Sequence, residues 1–331
     1  MEDQVRPIRV AWQKPRERAE GISHGYTNLT RNVAANIRDD PRAKVALHCC
    51  PPELFQPVAG KVNLLLTMWE SRDLVLSDLR RLRQADALVV PSTFCRDIFQ
   101  PHVDCPVYLV PLGVDVERLP YVKRADPRPD KPFRWLSLAS PDPRKGYAAI
   151  IKAWEKNFFH QPDCELYLKS TARGNSGIET RGNAVIDWRN VTRDELADIY
   201  GSAHGFLYPS SGEGFGWPPA EAMATGLPVV GTMWSGHADF FNRGNGYPVK
   251  HSFVRMATTQ PGRESNAEDG KFEIVLPSTA SLAAEMTAVM KDYPRALKRA
   301  RLGADLISRK YTWPLFRHRL AKVVSRYVGA D

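Results

Sequence analysis

Residues 208–226 read Tyr-Pro-Ser-Ser-Gly-Glu-Gly-Phe-Gly-Trp-Pro-Pro-Ala-Glu-Ala-Met-Ala-Thr-Gly. The stretch follows an apolar run of strand length, Gly205–Pro209, and leads into a helical pattern, Pro218–Thr225. Gly212, Gly214 and Gly216 lie between them. Pro218 and Pro219 suit the first turn of a helix, and Gly226 suits its C-terminal cap. A flexible loop that feeds a helix N-terminus gathers backbone N–H groups, and such a place suits a phosphate. Glu213 falls in the loop and Glu221 reads as part of the first helical turn. Acids in a first turn ordinarily only complement the helix dipole. Two acids flanking a phosphate site also suit hydroxyl groups, so the pattern fits a ligand with both phosphate and sugar parts.

Outward from this loop, apolar runs of strand length alternate with helical patterns. In the first part the strands are Ile8–Trp12, Lys44–His48, Val62–Met68, Ala87–Pro91 and Val107–Leu112. Helical patterns cover Thr27–Arg38, Ser71–Gln84 and Thr93–Gln100. Gly113–Pro132 ends in Asp-Pro-Arg-Pro-Asp-Lys-Pro and reads as a linker. The alternation restarts with strands Arg134–Ser140, Glu165–Ser170, Ala184–Trp188, Gly205–Pro209 and Pro228–Thr232, and with helices Gly146–Phe159, Arg193–Tyr200 and Pro218–Thr225. Val254–Lys271, polar and glycine-containing, reads as a mobile loop. The order predicts two α/β domains with parallel sheets and a cleft between them, ligands binding outside the carboxyl ends of the strands.

The chain has 331 residues, 43% of them hydrophobic and 25% charged, which excludes a disordered or fibrous protein. The longest nearly apolar run, Val62–Trp69, is far too short to span a membrane, and Met-Glu-Asp-Gln does not have the shape of a signal peptide. The five cysteines include no C-x-x-C, so neither a disulfide framework nor a zinc site is expected and a reducing cytosol fits. Net charge is +9, and residues 293–331 hold ten Lys and Arg against two Asp. A basic tail of this kind suits an anionic partner, a membrane surface or a solvated helix face.

Glu213 and Glu221, in Glu-Gly-Phe-Gly-x-Pro-x-x-Glu-Ala-Met-Ala-x-Gly-x-Pro-Val-Val, form an E-x7-E motif that resembles the retaining family-four glycosyltransferases of the GT-B fold. Ala87-Leu-Val-Val-Pro-Ser92, Val110-Pro-Leu-Gly-Val-Asp115, Pro143-Arg-Lys-Gly146 and Tyr311-Thr-Trp313 extend the resemblance over most of the chain. It implies two Rossmann-like, doubly wound domains with an interdomain cleft: an acceptor-side domain 1–117, a linker 118–132 and a nucleotide-sugar-binding domain 133–312. The last helix, 313–328, would cross back to the N-terminal domain. By the same resemblance Glu221 grips the nucleotide ribose and Glu213 lies by the donor sugar's hydroxyls. Gly214, Phe215 and Gly216 offer N–H groups to the sugar and diphosphate. Lys145 and Arg144 bind the diphosphate, with Lys169 as a further cation for that role. Where family members often carry an Arg six residues before the motif lysine, this chain has Ala139, and the N-terminal loop Gly21-Ile-Ser-His-Gly25 lacks paired glycines.

Transfer from a nucleotide sugar leaves negative charge on the departing diphosphate, which must be stabilised. The chain has no Asp-x-Asp, so no metal is expected, and Lys145, Arg144 and a helix N-terminus could serve instead. No cofactor is called for; the co-substrate would be a nucleotide sugar such as UDP-glucose or GDP-mannose. The resemblance implies reaction on one face of the sugar, with the leaving phosphate assisting deprotonation of the acceptor.

On the acceptor side the candidates are Glu70, His24, Arg319, Lys322 and Arg326. Glu70 could equally be a helix N-terminal charge, and His24 and His237 could be surface or packed histidines. Trp217 could stack on a sugar or simply pack, and Trp188 could flank a base or lie in a core. Three acceptors compete: a glycan or lipid-linked glycan at a membrane surface, a hydroxymethylated base in DNA, and a soluble small molecule. The setting would be cytoplasmic, membrane-associated or, for a viral protein, in the host cytoplasm. A sugar-nucleotide-binding protein without transfer activity, or a nucleotide-sugar epimerase, is the alternative.

Overall fold

The computed structural model describes residues 8–13, 24–35, 37–128, 130–171, 176–257 and 264–328, with backbone alone for 24–28. The chain forms two compact units, one of Met1–Gly113, Arg255–Glu273 and Trp313–Asp331, the other of Val114–Val254 and Ile274–Thr312.

The first unit is built on a parallel sheet in the order β2-β1-β3-β4-β5-β6. Its strands are β1 (Ile8–Gln13), β2 (Ile37–Asp39), β3 (Val45–Cys49), β4 (Val62–Leu66), β5 (Ala87–Val90) and β6 (Val107–Leu109). Helices α1 (His24–Ala34), α2 (Leu76–Leu82) and α3 (Thr93–Phe99) connect them. Strands β3 and β5 are buried along their whole length, as the almost wholly apolar runs of a parallel sheet require, with His48 the one polar residue among them. Leu65, Leu88 and Val90 pack with Leu79 and Leu82 of α2 and with Cys95 and Phe99 of α3. Two helical readings were too long. The first stops at Ala34, and Ile37–Asp39 instead pairs in parallel with β1, Ile8 opposite Ile37. The second begins only at Leu76, because Asp73 O accepts from Trp69 Nε1 at 2.8 Å and from Ser71 Oγ at 2.7 Å, which turns the preceding residues away from a helix.

The second unit has a seven-stranded sheet in the order β13-β12-β11-β7-β8-β10-β9. The strands are β7 (Phe133–Leu138), β8 (Cys164–Lys169), β9 (Ile178–Arg181), β10 (Ala184–Asp187), β11 (Gly205–Tyr208), β12 (Val229–Thr232) and β13 (Tyr247–Val249). All neighbours run parallel except β9, which is antiparallel to β10. Its helices are α4 (Tyr147–Asn157), α5 (Arg193–Ser202), α6 (Trp217–Ala224), α7 (Thr279–Lys291) and α8 (Tyr293–Lys310). Trp135, Leu166, Leu168, Ile186 and Leu207 of the sheet share one core with Ile150 and Trp154 of α4 and with Leu282, Met286 and Val289 of α7.

Of Val254–Lys271, read as a mobile loop, residues 254–256 end strand β14 (His251–Met256), which pairs with β15 (Phe272–Pro277) in a two-stranded ribbon, and 258–263 lie outside the described residues. Residues 255–273 of it group with the first unit. Asn266 clamps Leu74 there: its Oδ1 accepts from Leu74 N–H at 2.8 Å and its own N–H donates to Leu74 O at 2.8 Å. Helix α9 (Trp313–Ser325) also belongs to the first unit, burying Phe316, Leu320, Val323 and Val324. The five cysteines are free thiols.

The stretch read as a linker is not free either: residues from Val114 onward belong to the second unit. Val114 N–H donates to Tyr311 O at 2.8 Å and Val122 N–H to Thr225 O at 3.1 Å. Arg124 then reaches the C-terminal ends of two helices. Its guanidinium donates to Tyr200 O and Ala203 O at the end of α5, both at 2.9 Å, and to Thr225 O just past α6. A cation with a planar fork of donors is what terminal carbonyls at two converging helix ends favour. Arg124→Ala removes the side-chain donor that these three carbonyls share, leaving Thr225 O with Val122 N–H and Tyr200 O with Ala203 N–H. It should lower the free energy of unfolding by at least about 2 kcal/mol, with Arg124→Lys recovering part, measured by urea denaturation.

Candidate functional site

The loop after β11 is fastened to the turn that begins α4. Pro143–Lys145 forms a single 3-10 turn whose Arg144 N–H is capped by Asp142 Oδ1 at 2.8 Å. Gly146 follows at φ 73°, and a Cβ there would stand 2.2 Å from Pro209 O. Only glycine tolerates both, which is the physical content of the Lys-Gly pair. Arg144 O accepts from Ser211 N–H at 2.7 Å and from Ser210 Oγ at 3.1 Å. These contacts bring residues 144 and 145 against the loop 68 positions later in the chain.

Glu213 is 6% exposed and sits at the centre of this junction. Lys145 Nζ donates to both of its carboxylate oxygens, at 2.8 and 3.0 Å. Arg144 Nη1 lies 3.2 Å from Oε1, and Ser210 Oγ donates to the same oxygen at 2.8 Å. Burial works to raise this carboxyl's pKa, but the charges of Lys145 and Arg144 and the hydrogen bonds outweigh it and hold the group at about 2. The carboxylate is therefore ionised throughout the neutral range. Two cations thus flank the one carboxylate.

Glu221 lies in the second turn of α6, not the first, because the helix already starts at Trp217. Its Oε2 accepts from the buried Tyr200 hydroxyl at 2.9 Å. Burial pushes its carboxyl up to about 7, the Tyr200 hydrogen bond and Arg193 opposing and Asp115 assisting. Pro218 and Pro219 occupy the second and third helical positions and carry no N–H. The donors a phosphate could meet are thereby confined to the loop ahead of them and to Trp217. Gly216, at φ 91°, turns the chain into the helix, and a Cβ there would strike His237.

The model of the family described as "Family 4 Glycosyltransferase in conflict systems" matches residues 95–320. The chain belongs to that family. Among curated proteins it is 31% identical over 155 residues to the MMP alpha-(1->4)-mannosyltransferase of Mycolicibacterium hassiacum, a match covering 44% of this chain and 36% of that one. It is 27% identical over 104 residues to the serotype-specific mannosyltransferase WbdA of Escherichia coli, covering 29% of this chain and 13% of the relative. The chain thus matches well under two thirds of these relatives' length. Among solved structures it resembles sucrose-phosphate synthase from Thermosynechococcus elongatus, with TM-score 0.63 and 16% identity over 87% of this chain and 74% of that one. It also resembles Anabaena HepE, solved with UDP and glucose, with TM-score 0.63 and 13% identity over 91% and 81% of the two chains. The fold is accordingly GT-B, with two Rossmann-like units.

Phe215 is buried against Phe240 and Tyr311, at ring-centroid distances of 5.4 and 6.2 Å, which anchors the Gly214–Gly216 backbone from below. Lys169 has no part in the Glu213 cluster. Its ammonium is buried and donates to the carbonyls of Ser170, Asp187 and Arg189 at 3.0, 3.0 and 2.6 Å, so its three N–H bonds are engaged in holding the ends of β8 and β10. Trp188 joins the core and donates from Nε1 to Glu179 at 3.0 Å. Trp217 is half-buried, edge-on to Phe215. His237 is packed, not on the surface: it is 1% exposed, with Nε2 bonded to Thr232 O.

In the first unit Glu70 is half-buried in the loop after β4, at the carboxyl end of the sheet. His24 opens α1, but its side chain lies outside the described residues. Arg319 is half-buried on α9 and Lys322 is exposed. Arg326 follows the end of the helix, with its guanidinium 5.2 Å from the centre of the Tyr108 ring. No helix of the described residues is long and apolar enough to cross a membrane, and no cluster of three His, Cys, Asp or Glu among them could hold a metal ion. Ser210, Ser235 and Tyr200 went unnoticed in the sequence. Serine and tyrosine carry no signal by themselves, and only the contacts they make with Glu213 and Glu221 single them out.

The two glutamates should leave opposite marks on stability. The folded pKa of Glu213 lies below the ordinary 4.5, so its contribution is complete above pH 4.5 and fades as pH falls towards about 2. That of Glu221 lies above 4.5, so ionisation costs stability as pH rises from 4.5 to about 7. Relative to the wild type, Glu213→Gln should flatten the stability profile only in the acid window and Glu221→Gln only in the higher one, as read by thermal melts at stepped pH.

Proposed function

We propose that this chain transfers a hexose, with mannose the first choice, from a nucleotide sugar to a hydroxyl acceptor, with retention of anomeric configuration and without a metal ion. The observation that carries the reading is Glu213 held ionised between Lys145 and Arg144 at the mouth of the glycine loop. As the anomeric C–O bond breaks, the diphosphate gains negative charge, which Lys145 and Arg144 would meet. Loop N–H groups of Gly214, Phe215 and Gly216 would add donors. The Glu213 carboxylate would accept from sugar hydroxyls on its remaining lone pairs. Glu221, with one oxygen taken by Tyr200, would offer the other to the ribose. The leaving phosphate would help remove the acceptor's proton on the same face of the sugar.

Mannose is supported by the names of several relatives, all mannosyltransferases. One of them is named for an O-antigen chain, which supports a glycan acceptor. A second acceptor, a hydroxymethylated base in DNA, is supported by the ten basic residues in 293–331 and by the family's place in conflict systems. Salt separates the two: DNA binding that falls steeply between about 50 and 200 mM salt favours the base, and binding to a glycan or to anionic vesicles alone favours the glycan.

Lys145→Ala should lower kcat by about 10²–10³-fold while leaving affinity for the bare nucleoside nearly unchanged, because its charge matters most when the leaving group's charge develops. Nucleotide release from GDP-mannose or UDP-glucose, followed with and without EDTA, should be equal. Loss in EDTA with recovery on added magnesium would overturn the metal-free reading.

A further inference from the structure

Among the described residues Ser235 is the one non-glycine residue with φ in the left-handed range, at φ 64° and ψ −153°. That region is adopted almost only by glycine. A serine ahead of a helical turn usually caps it, but the Ser235 side chain makes no bond to its own turn, Gly236–Asp239. Instead its Oγ accepts the N–H of Glu213 at 2.8 Å, 22 residues back in the chain. The next residue completes the grip, since Gly236 N–H donates to Glu213 O at 2.8 Å. The backbones are in such close contact that a Cβ on Gly236 would stand 2.2 Å from Gly214 O. Both backbone polar groups of Glu213 are therefore held by two successive residues, the first of them strained and 5% exposed.

We propose that Ser235 is a positioning residue, held in a strained backbone conformation so that its hydroxyl fixes the Glu213 peptide and thereby aims the carboxylate between Lys145 and Arg144. This deepens the donor-site reading above and rests on it. A glycine at this position would relax the backbone and lose the hydroxyl; the serine keeps both the hydroxyl and the strain.

Two variants that both lack the hydroxyl separate strain from hydrogen bonding. At an unstrained position alanine is the more stabilising of the pair, because glycine leaves the unfolded chain more freedom. Here the order should reverse, Ser235→Gly melting above Ser235→Ala by about 2–4 °C. Both should lose about 10–100-fold in kcat, as a displaced catalytic group does, with affinity for the bare nucleotide within twofold of wild type by calorimetry. A general loosening of the fold would lower that affinity too. An alanine variant that melts at or above the glycine variant would show that no strain is stored, and wild-type kcat in both would show that Glu213 does not need the hydroxyl; either overturns the proposal. If the wild type releases nucleotide from no sugar donor, the donor-site reading fails instead. The melting order, and the loss of the Glu213 acid window in both variants, would then still judge the grip on Glu213.

Discussion

A buried carboxylate organises the second unit. Glu213 is removed from water, and an ion so placed must be neutralised, protonated or paired. The chain pairs it, with Lys145 and Arg144 supplied from a turn far away in sequence. Many local features serve that pairing. Gly146 lets the turn approach Pro209, the Arg144 carbonyl collects donors from Ser210 and Ser211, and the Ser235–Gly236 step grips the Glu213 peptide. Removing one partner would leave charge uncompensated in a low-dielectric place, so the cluster stands or falls as a unit.

Glu221 is handled in the opposite way. It has a tyrosine hydroxyl and, among the described residues, no cation in contact, and burial prevails. Eight residues apart in the chain, the two glutamates present one carboxyl that stays ionised and one that titrates near neutrality. The fold arranges this by where the loop ends and the helix begins. Glu213 lies in the loop facing the turn of α4, while Glu221 lies one helical turn in, facing α5. Arg124 joins the ends of α5 and α6 and so holds the helix that carries Tyr200 beside the helix that carries Glu221.

Much of the architecture was legible because period and punctuation agree. Strands β3, β5 and β11 sit within a residue or two of where the sequence puts them, since buried parallel strands admit little but apolar side chains. The errors have physical causes. Polarity at Val254–Lys271 gave no sign of strand β14 or of the two bonds that tie Asn266 to Leu74. Proline and charge read as a linker, and gave no sign that the half-buried Arg124 bonds to carbonyls at helix ends. Lys169, a lysine at a strand end, looked available to an anion but is closed in by carbonyls.

By itself the sequence determined the alternating α/β plan, the glycine loop with its two glutamates, and the Lys-Gly turn. These depend on residue types at short spacing, where backbone geometry leaves few choices. The tertiary structure alone decided that Lys145 and Glu213 are partners, that Lys169 is not, and that an inconspicuous serine is strained against the site. Those are contacts between segments tens of residues apart, set by how the strands are ordered in the sheet and how closely two backbones approach. No local pattern encodes that approach, because the energy that enforces it belongs to the packed unit and not to any one stretch of chain.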